Sequence, residues 1–417
     1  MGSIVVNGGK RLNGQLFVQG SKNAVLPILA ATILTKEPCI LHHVPDIRDV
    51  QVSLQILTRL GGGVMRIDES IRIENSALDP DYLSPALASK MRSSILFSGA
   101  CLSAYGYARL DKPGGCLIGE RPIDMHLQCF RDMGANVEEY DTYTILSANR
   151  LHGCVHRLRL PSVGVTENVL LAAVLAQGTT VIHGAAREPE IVTLCQCLRK
   201  AGAKIEGEGS NLIKVQGVDK LHGFVFHVPA DRIVAATYLC GITAAGGSLL
   251  LSNVNAWELD SLLRVLGRMG AEVEVRPRSV YLQMKERPRG ISFLQTGYYP
   301  ELPTDVQSLL LIPLCLSEGK GEIEERIFEN RFRIVPELQK MGAQVHTDGN
   351  RVCYEGVEAL QGTMVQATEL RGGAALVIAG LAARGQTTIS GVEYIERGYE
   401  DLVGDLKRIG ADIYFDN

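Results

Sequence analysis

The stretch DKPGGCLIGERP, residues 111–122, sets Cys116 on a loop of glycine, proline and charge. A free thiol titrates near about 8.5, and Arg121, five residues on, favours the thiolate. Flanking glycines let the loop backbone come close to a ligand. No second cysteine lies nearby in sequence, so a thiol–disulfide couple is disfavoured. GGCLIG has the wrong glycine spacing for a dinucleotide fingerprint, which argues against nicotinamide binding. Cys195 and Cys197, one residue apart in a helical pattern, point in different directions and read as packing, so no metal site is expected. Six cations, Lys22, Arg92, Arg121, Arg331, Arg371 and Arg397, each adjoin a glycine, proline or polar turn. Alone, each is an ordinary surface charge; together they could grip anions, arginine through its planar fork and lysine as a mobile point charge. Asp305, in YPELPTDVQ, reads on its own as the N-cap of the helix VQSLLLIPL.

The elements that must position these residues repeat. ILTRLGGGVMRI, CFRDMGANVEEY, CLRKAGAKIEGE, VLGRMGAEVEVR, ELQKMGAQVHTD and DLKRIGADIYFD are six variants of one pattern, with a shared glycine at Gly61, Gly134, Gly202, Gly270, Gly342 and Gly410. The apolar spacing is helical before each glycine and alternating after it, which predicts a helix C-terminus feeding a strand. A second shared half, as in LPILAATILTKEPCILHHV and ALVIAGLAARGQTTISGV, is a charge-free helix, a turn and a strand. Helices so apolar must be buried nearly all round. Six such units, about 70 residues apart, predict an α/β fold of two pseudo-threefold domains with helices inside and sheets outside. A linear solenoid is disfavoured because no polar terminal cap is present. The second repeat is about three residues longer than its siblings, and the excess lies around KPGGCLIGERP. Insertions in repeats tend to sit on one functional face.

At 417 residues and 46% hydrophobic, the chain can build two substantial cores. Its net charge of −4 is spread without basic runs, which argues against nucleic-acid and membrane-surface partners. The N-terminus lacks a signal-peptide core and no later stretch suits a membrane span, so a cytoplasmic protein with ten reduced cysteines is expected.

The motifs GSKNAVLPIL, PGGCLIGERPID, PSVGVTEN, AAREPEI, PTDVQ, IFENRF, LRGGAALVIAG and ERGYE occur in the order found in the enolpyruvyl transferases. From about residue 4 to 415 the chain resembles the branch of that family acting on UDP-N-acetylglucosamine. The resemblance implies a two-domain inside-out α/β barrel of six βαβαββ repeats. One domain would take residues 21–229 and carry the cysteine loop; the other would take 1–20 plus 230–417, with the active site in the cleft between them. It also implies transfer of the enolpyruvyl group of phosphoenolpyruvate to the sugar 3-hydroxyl, with phosphate released, as the first committed step of peptidoglycan synthesis. No cofactor or metal is implied.

Residue by residue, the resemblance implies that Lys22, Arg121 and Arg397 hold the phosphate and carboxylate, with Asn23 beside them and Arg331 and Arg371 completing the anion cage. For the nucleotide sugar the matching positions are Arg92, then Arg121, Pro122, Ile123, Asp124 and Met125, then Leu160, Pro161, Ser162, Val163 and Gly164, and finally Asp305 and Ile327. Asp305 would be the base that takes the hydroxyl proton. Cys116 would be the acid at carbon 3, and its thiolate would account for covalent capture of phosphoenolpyruvate and alkylation by fosfomycin. The catalytic set is therefore Cys116, Asp305, Lys22 and Arg397. Two departures stand out: Glu369 replaces the family's usual aspartate in the Asp-Leu-Arg motif, and Arg48 stands where lysine is familiar. The sister 5-enolpyruvylshikimate-3-phosphate synthase and a non-catalytic nucleotide-sugar sensor are the alternatives.

Overall fold

Each of the six shared glycines ends a helix. In the structure, a computed structural model, they have φ between 85° and 103°, a region that costs a side chain but not glycine. The residue after each glycine returns its N–H to a carbonyl five residues earlier: Gly62 to Leu57, Ala135 to Phe130, Ala203 to Leu198, Ala271 to Leu266, Ala343 to Leu338 and Ala411 to Leu406, all at 2.9–3.0 Å. The glycine N–H bonds three residues back, as Gly61 does to Thr58 at 3.1 Å. These paired bonds satisfy carbonyls orphaned at the helix end and turn the chain into the next strand.

The structure describes residues 2–67, 70–76, 78–79, 92–111 and 122–416, without the side chains of residues 92 and 93. Among them the chain divides into two compact units, one of residues 20–111 and 122–229, the other of residues 2–19 and 230–416.

In the first unit the helices Lys22–Ala31, Leu96–Tyr105 and Val163–Ala173 touch one another and are buried along almost their whole length. The second unit has the same core, built from Arg232–Ala245, Thr304–Cys315 and Leu370–Ala382. Their apolar composition is the cause: with almost no polar face to offer water, such helices are stable only when surrounded. Amphipathic helices such as Arg48–Arg59 and Pro189–Lys200 carry the shared glycine after their last turn and bury one face. Cys195 and Cys197 both lie on that second helix, each 0% exposed, as packing residues.

The sheets repeat one plan. In the second unit Leu12–Phe17 runs parallel to Gly247–Ser252, which pairs antiparallel with Ser279–Met284, and that strand pairs antiparallel with Glu272–Arg276. Four other sheets keep the same order of one parallel and two antiparallel pairings. The sixth shows three strands among the described residues, Tyr107–Asp111, Tyr143–Ser147 and Asn136–Glu139. Alternating burial along strands such as Ser279–Met284 turns one face to the helices. Helices inside and sheets outside is therefore the arrangement of each unit.

Candidate active site

Many of the expected site residues lie at helix N-termini, where unpaired N–H groups and the helix dipole favour anions. Lys22 opens the helix Lys22–Ala31, capped by Ser21, whose hydroxyl accepts from Ala24 N–H at 3.3 Å. Ser162 caps Val163–Ala173 by accepting from Val165 N–H, so Leu160, Pro161, Ser162, Val163 and Gly164 form one turn into a buried helix. Asp124 and Met125 begin the helix Asp124–Asp132, preceded by Pro122 and Ile123. The Arg159 guanidinium donates to the Asp124 carboxylate and so ties these two segments together.

Lys22 is not the solvated charge its turn suggests. It is 9% exposed, and its Nζ sits 2.7 Å from the carboxylate of Asp49, itself 3% exposed. Asp49 carries no signal of its own in the motif VPDIRDV, since its partner lies far along the chain; the neighbouring Arg48 is exposed at the first position of the helix Arg48–Arg59. Asn23 is half-buried beside Lys22.

In the other unit Asp305 is not an N-cap. Pro303 occupies that position, and the helix begins at Thr304. Pro303 has extended backbone, with φ −65° and ψ 137°, so the helix starts one residue ahead of the aspartate. The Asp305 carboxylate instead bridges two arginines: Arg331 donates to one oxygen, and Arg371 Nη2 lies 3.4 Å from the other. Both arginines are 3% exposed, whereas the Asp305 side chain is 28% exposed, so the carboxylate is the accessible member of the trio. Arg331 also donates from Nε to the Thr304 carbonyl at 3.3 Å. Arg371 reaches the Tyr399 hydroxyl at 3.5 Å, and that phenol is 2.7 Å from the Thr237 hydroxyl. Burial pushes the Tyr399 phenol up, against the pull of Arg371 and Thr237, and keeps it a neutral partner.

Glu369 is the N-cap of Leu370–Ala382. Its carboxylate accepts from Arg371 N–H at 2.9 Å and from Gly372 N–H, and it lies 3.8 Å from Arg331 Nη1. A Cβ on Gly372 would come within 2.7 Å of that carboxylate, so the glycine leaves the room that the longer acid uses.

Ile327 lies on a half-buried turn held by Glu325, which is 3% exposed. Arg397 is half-buried in the second unit. The backbone of Arg92 begins the short helix Arg92–Ile95. Cys116 and Arg121 lie outside the described residues. The nine described cysteines are free thiols, and burial pushes those of Cys39, Cys101, Cys129, Cys195 and Cys315 up to about 12. Such thiols hold their protons at neutral pH and are poor nucleophiles. Among the described residues no group of three or more histidine, cysteine or acidic side chains could hold a metal ion, and no helix is long and apolar enough to cross a membrane.

Residues 6–406 match the family model for EPSP synthase (3-phosphoshikimate 1-carboxyvinyltransferase). The chain belongs to the enolpyruvyl transferase family. Over 99% of its own length and 99% of theirs, it is 41% identical to proteins named UDP-N-acetylglucosamine 1-carboxyvinyltransferase 2, from Caldanaerobacter subterraneus subsp. tengcongensis, and UDP-N-acetylglucosamine 1-carboxyvinyltransferase, from Endomicrobium trichonymphae. Among solved structures, the enolpyruvyl transferase NikO from Streptomyces tendae superposes with a TM-score of 0.90 at 26% identity, covering 100% of this chain and 99% of that one. An EPSP synthase from Acinetobacter baumannii matches with a TM-score of 0.76 at 20% identity over the whole of both chains, and so shares the fold.

Proposed function

We propose that this enolpyruvyl transferase moves the enolpyruvyl group of phosphoenolpyruvate to the 3-hydroxyl of UDP-N-acetylglucosamine and releases inorganic phosphate, serving peptidoglycan synthesis in the cytoplasm. The observation that carries the reading is Asp305, an accessible carboxylate held between two buried arginines. Full-length relatives bearing the nucleotide-sugar name point to the acceptor.

Phosphoenolpyruvate brings a phosphate of about −1.5 to −2 and a carboxylate into a protein of net negative charge, so cations must be concentrated where it binds. Lys22, Arg121 and Arg397 hold its two anionic groups, with Asn23 alongside, and Arg331 and Arg371 complete the cage. An anion arriving at these arginines competes with Asp305 for their donors and leaves a carboxylate oxygen able to accept the sugar hydroxyl proton. The nucleotide sugar is held by Arg92, by Arg121 to Met125, by the turn Leu160 to Gly164, and by Ile327.

The alkoxide forming at the sugar attacks carbon 2 as Cys116 donates its thiol proton to carbon 3. The product of this addition is a tetrahedral phospho-ketal. Loss of a proton from carbon 3 and of phosphate from carbon 2 then restores the double bond as an enol ether. The guanidinium and ammonium groups stabilise the departing phosphate, most strongly when water is excluded. Arg121 favours the Cys116 thiolate, and bound anionic substrate offsets it, keeping the proton on sulfur for transfer. The thiolate form explains the expected alkylation by fosfomycin.

The test is phosphate release from phosphoenolpyruvate with UDP-N-acetylglucosamine or shikimate 3-phosphate offered separately. Release with the nucleotide sugar alone is the expected result. Release with shikimate 3-phosphate alone would transfer the assignment to the sister reaction, and tight nucleotide-sugar binding without release would mark a sensor.

A further inference from the structure

Resting on that reading, we propose that Glu325 is a positioning residue that keeps the base, Asp305, and the nucleotide-sugar contact, Ile327, in register. Glu325 would act through these two segments and not on a substrate. One carboxylate oxygen accepts from the backbone N–H of Ile327 at 2.8 Å and of Phe328 at 3.2 Å, and the other accepts from the Thr304 hydroxyl at 2.9 Å. Its own N–H donates to the Asn350 carbonyl at 2.8 Å, and its carbonyl accepts from the Asn350 side chain at 3.2 Å. Every polar group of a residue only 3% exposed is therefore engaged.

Thr304 is the first residue of the helix that carries Asp305, and its carbonyl accepts from Arg331, the arginine that also grips Asp305. The Arg331 guanidinium lies 6.0 Å from the centre of the Phe328 ring. A ring of contacts thus runs from Glu325 through Thr304, Asp305, Arg331 and Phe328 back to Glu325. Among the described residues no cation is paired with this carboxylate; all three bonds it accepts come from the two segments it joins. A carboxylate with three donors aimed at it suits that task, because it accepts on both oxygens and offers no competing donor. Removing it leaves two N–H groups without their acceptor and frees the helix start from the Ile327 turn.

The experiment compares wild type with Glu325→Ala, Glu325→Gln and Thr304→Val by steady-state phosphate release, with thermal unfolding as the folding control. Glu325→Ala should raise KM for UDP-N-acetylglucosamine about tenfold and lower kcat about tenfold, since small displacements of positioned groups are costly. KM for phosphoenolpyruvate should stay within about twofold, because Asp305 and the Thr304 carbonyl still hold Arg331. Lost stability alone would remove active enzyme and lower kcat while leaving both KM values unmoved. Glu325→Gln should recover most of the loss, since its oxygen can take the two N–H groups while its amide donates to the reversible Thr304 hydroxyl. Thr304→Val, which cuts only the helix tie, should lower kcat and leave the nucleotide-sugar KM in place.

A folded Glu325→Ala protein with a wild-type KM for UDP-N-acetylglucosamine would overturn the proposal. If that variant does not fold, Thr304→Val decides, and unchanged kcat overturns it. A wild-type protein that releases no phosphate with UDP-N-acetylglucosamine overturns the functional reading and this inference together, an outcome distinct from a competent wild type matched by its variants.

Discussion

At the scale of single residues, burial decides what the cations are. Lys22 and Asp49 form a 2.7 Å pair with side chains 11% and 4% exposed, so the pair sits largely out of water. Asp49→Ala should therefore cost about 3–5 kcal/mol, the order expected when one member of a buried ion pair is removed. Chemical denaturation would read this as a lower midpoint with an unchanged slope, and a midpoint equal to wild type would show that the pair does not hold the fold together. The candidate cations were legible as a set because each stood beside a turn in a motif. Their partners were not: Asp49 lies 27 residues from Lys22, and Tyr399 lies 28 from Arg371. Contacts of that kind follow from which helices pack together, which local spacing does not encode.

At the scale of elements, the six glycine turns are the most predictable part of the molecule. A glycine after an amphipathic helix, followed by alternation, specifies the C-terminal motif through local sterics alone. Gly342 isolates this effect, since an added Cβ there would meet nothing within 4 Å while φ is +85°. Gly342→Ala should thus cost about 1–2 kcal/mol from the backbone alone. A urea titration checks this, and a neutral result would mean that the turn relaxes. Helix starts were less legible. Asp305 reads as a cap until Pro303 is seen to occupy that place, and Glu369 does cap, because Gly372 leaves space for it. Side-chain room at a helix entrance depends on neighbours as well as on residue type.

At the scale of the molecule, each unit has its own hydrophobic cluster, and the two share no residue. The first unit also buries an acid: Glu167, 5% exposed, has its carboxyl pushed well above the usual range by burial and then by Glu190 and Glu188. For an acid whose folded value is raised, the stabilising contribution is complete below its unfolded value, about 4.3, and is lost as pH rises through the folded value. Glu167→Gln keeps the shape but cannot ionise. Its melting temperature should rise above wild type by about 2–4 °C for each kcal/mol relieved, with the gap widening from pH 5 to pH 8. A gap that stays constant across that range would sink the argument. Nothing in GVTENVLL announces a buried acid; the apolar helix around it does, once Glu188 and Glu190 are brought alongside.

Sequence alone determined the repeat, the inside and outside of each unit, and the family, because these rest on periodicity, on helices too apolar to face water, and on motifs in a fixed order. Tertiary structure alone decided that Asp305 bridges Arg331 and Arg371, that Asp49 neutralises Lys22, and that Glu325 joins the helix of Asp305 to the turn of Ile327. The physical reason is that charge pairing and hydrogen bonding act over about 3 Å in space, whereas the residues concerned are separated by tens of positions along the chain.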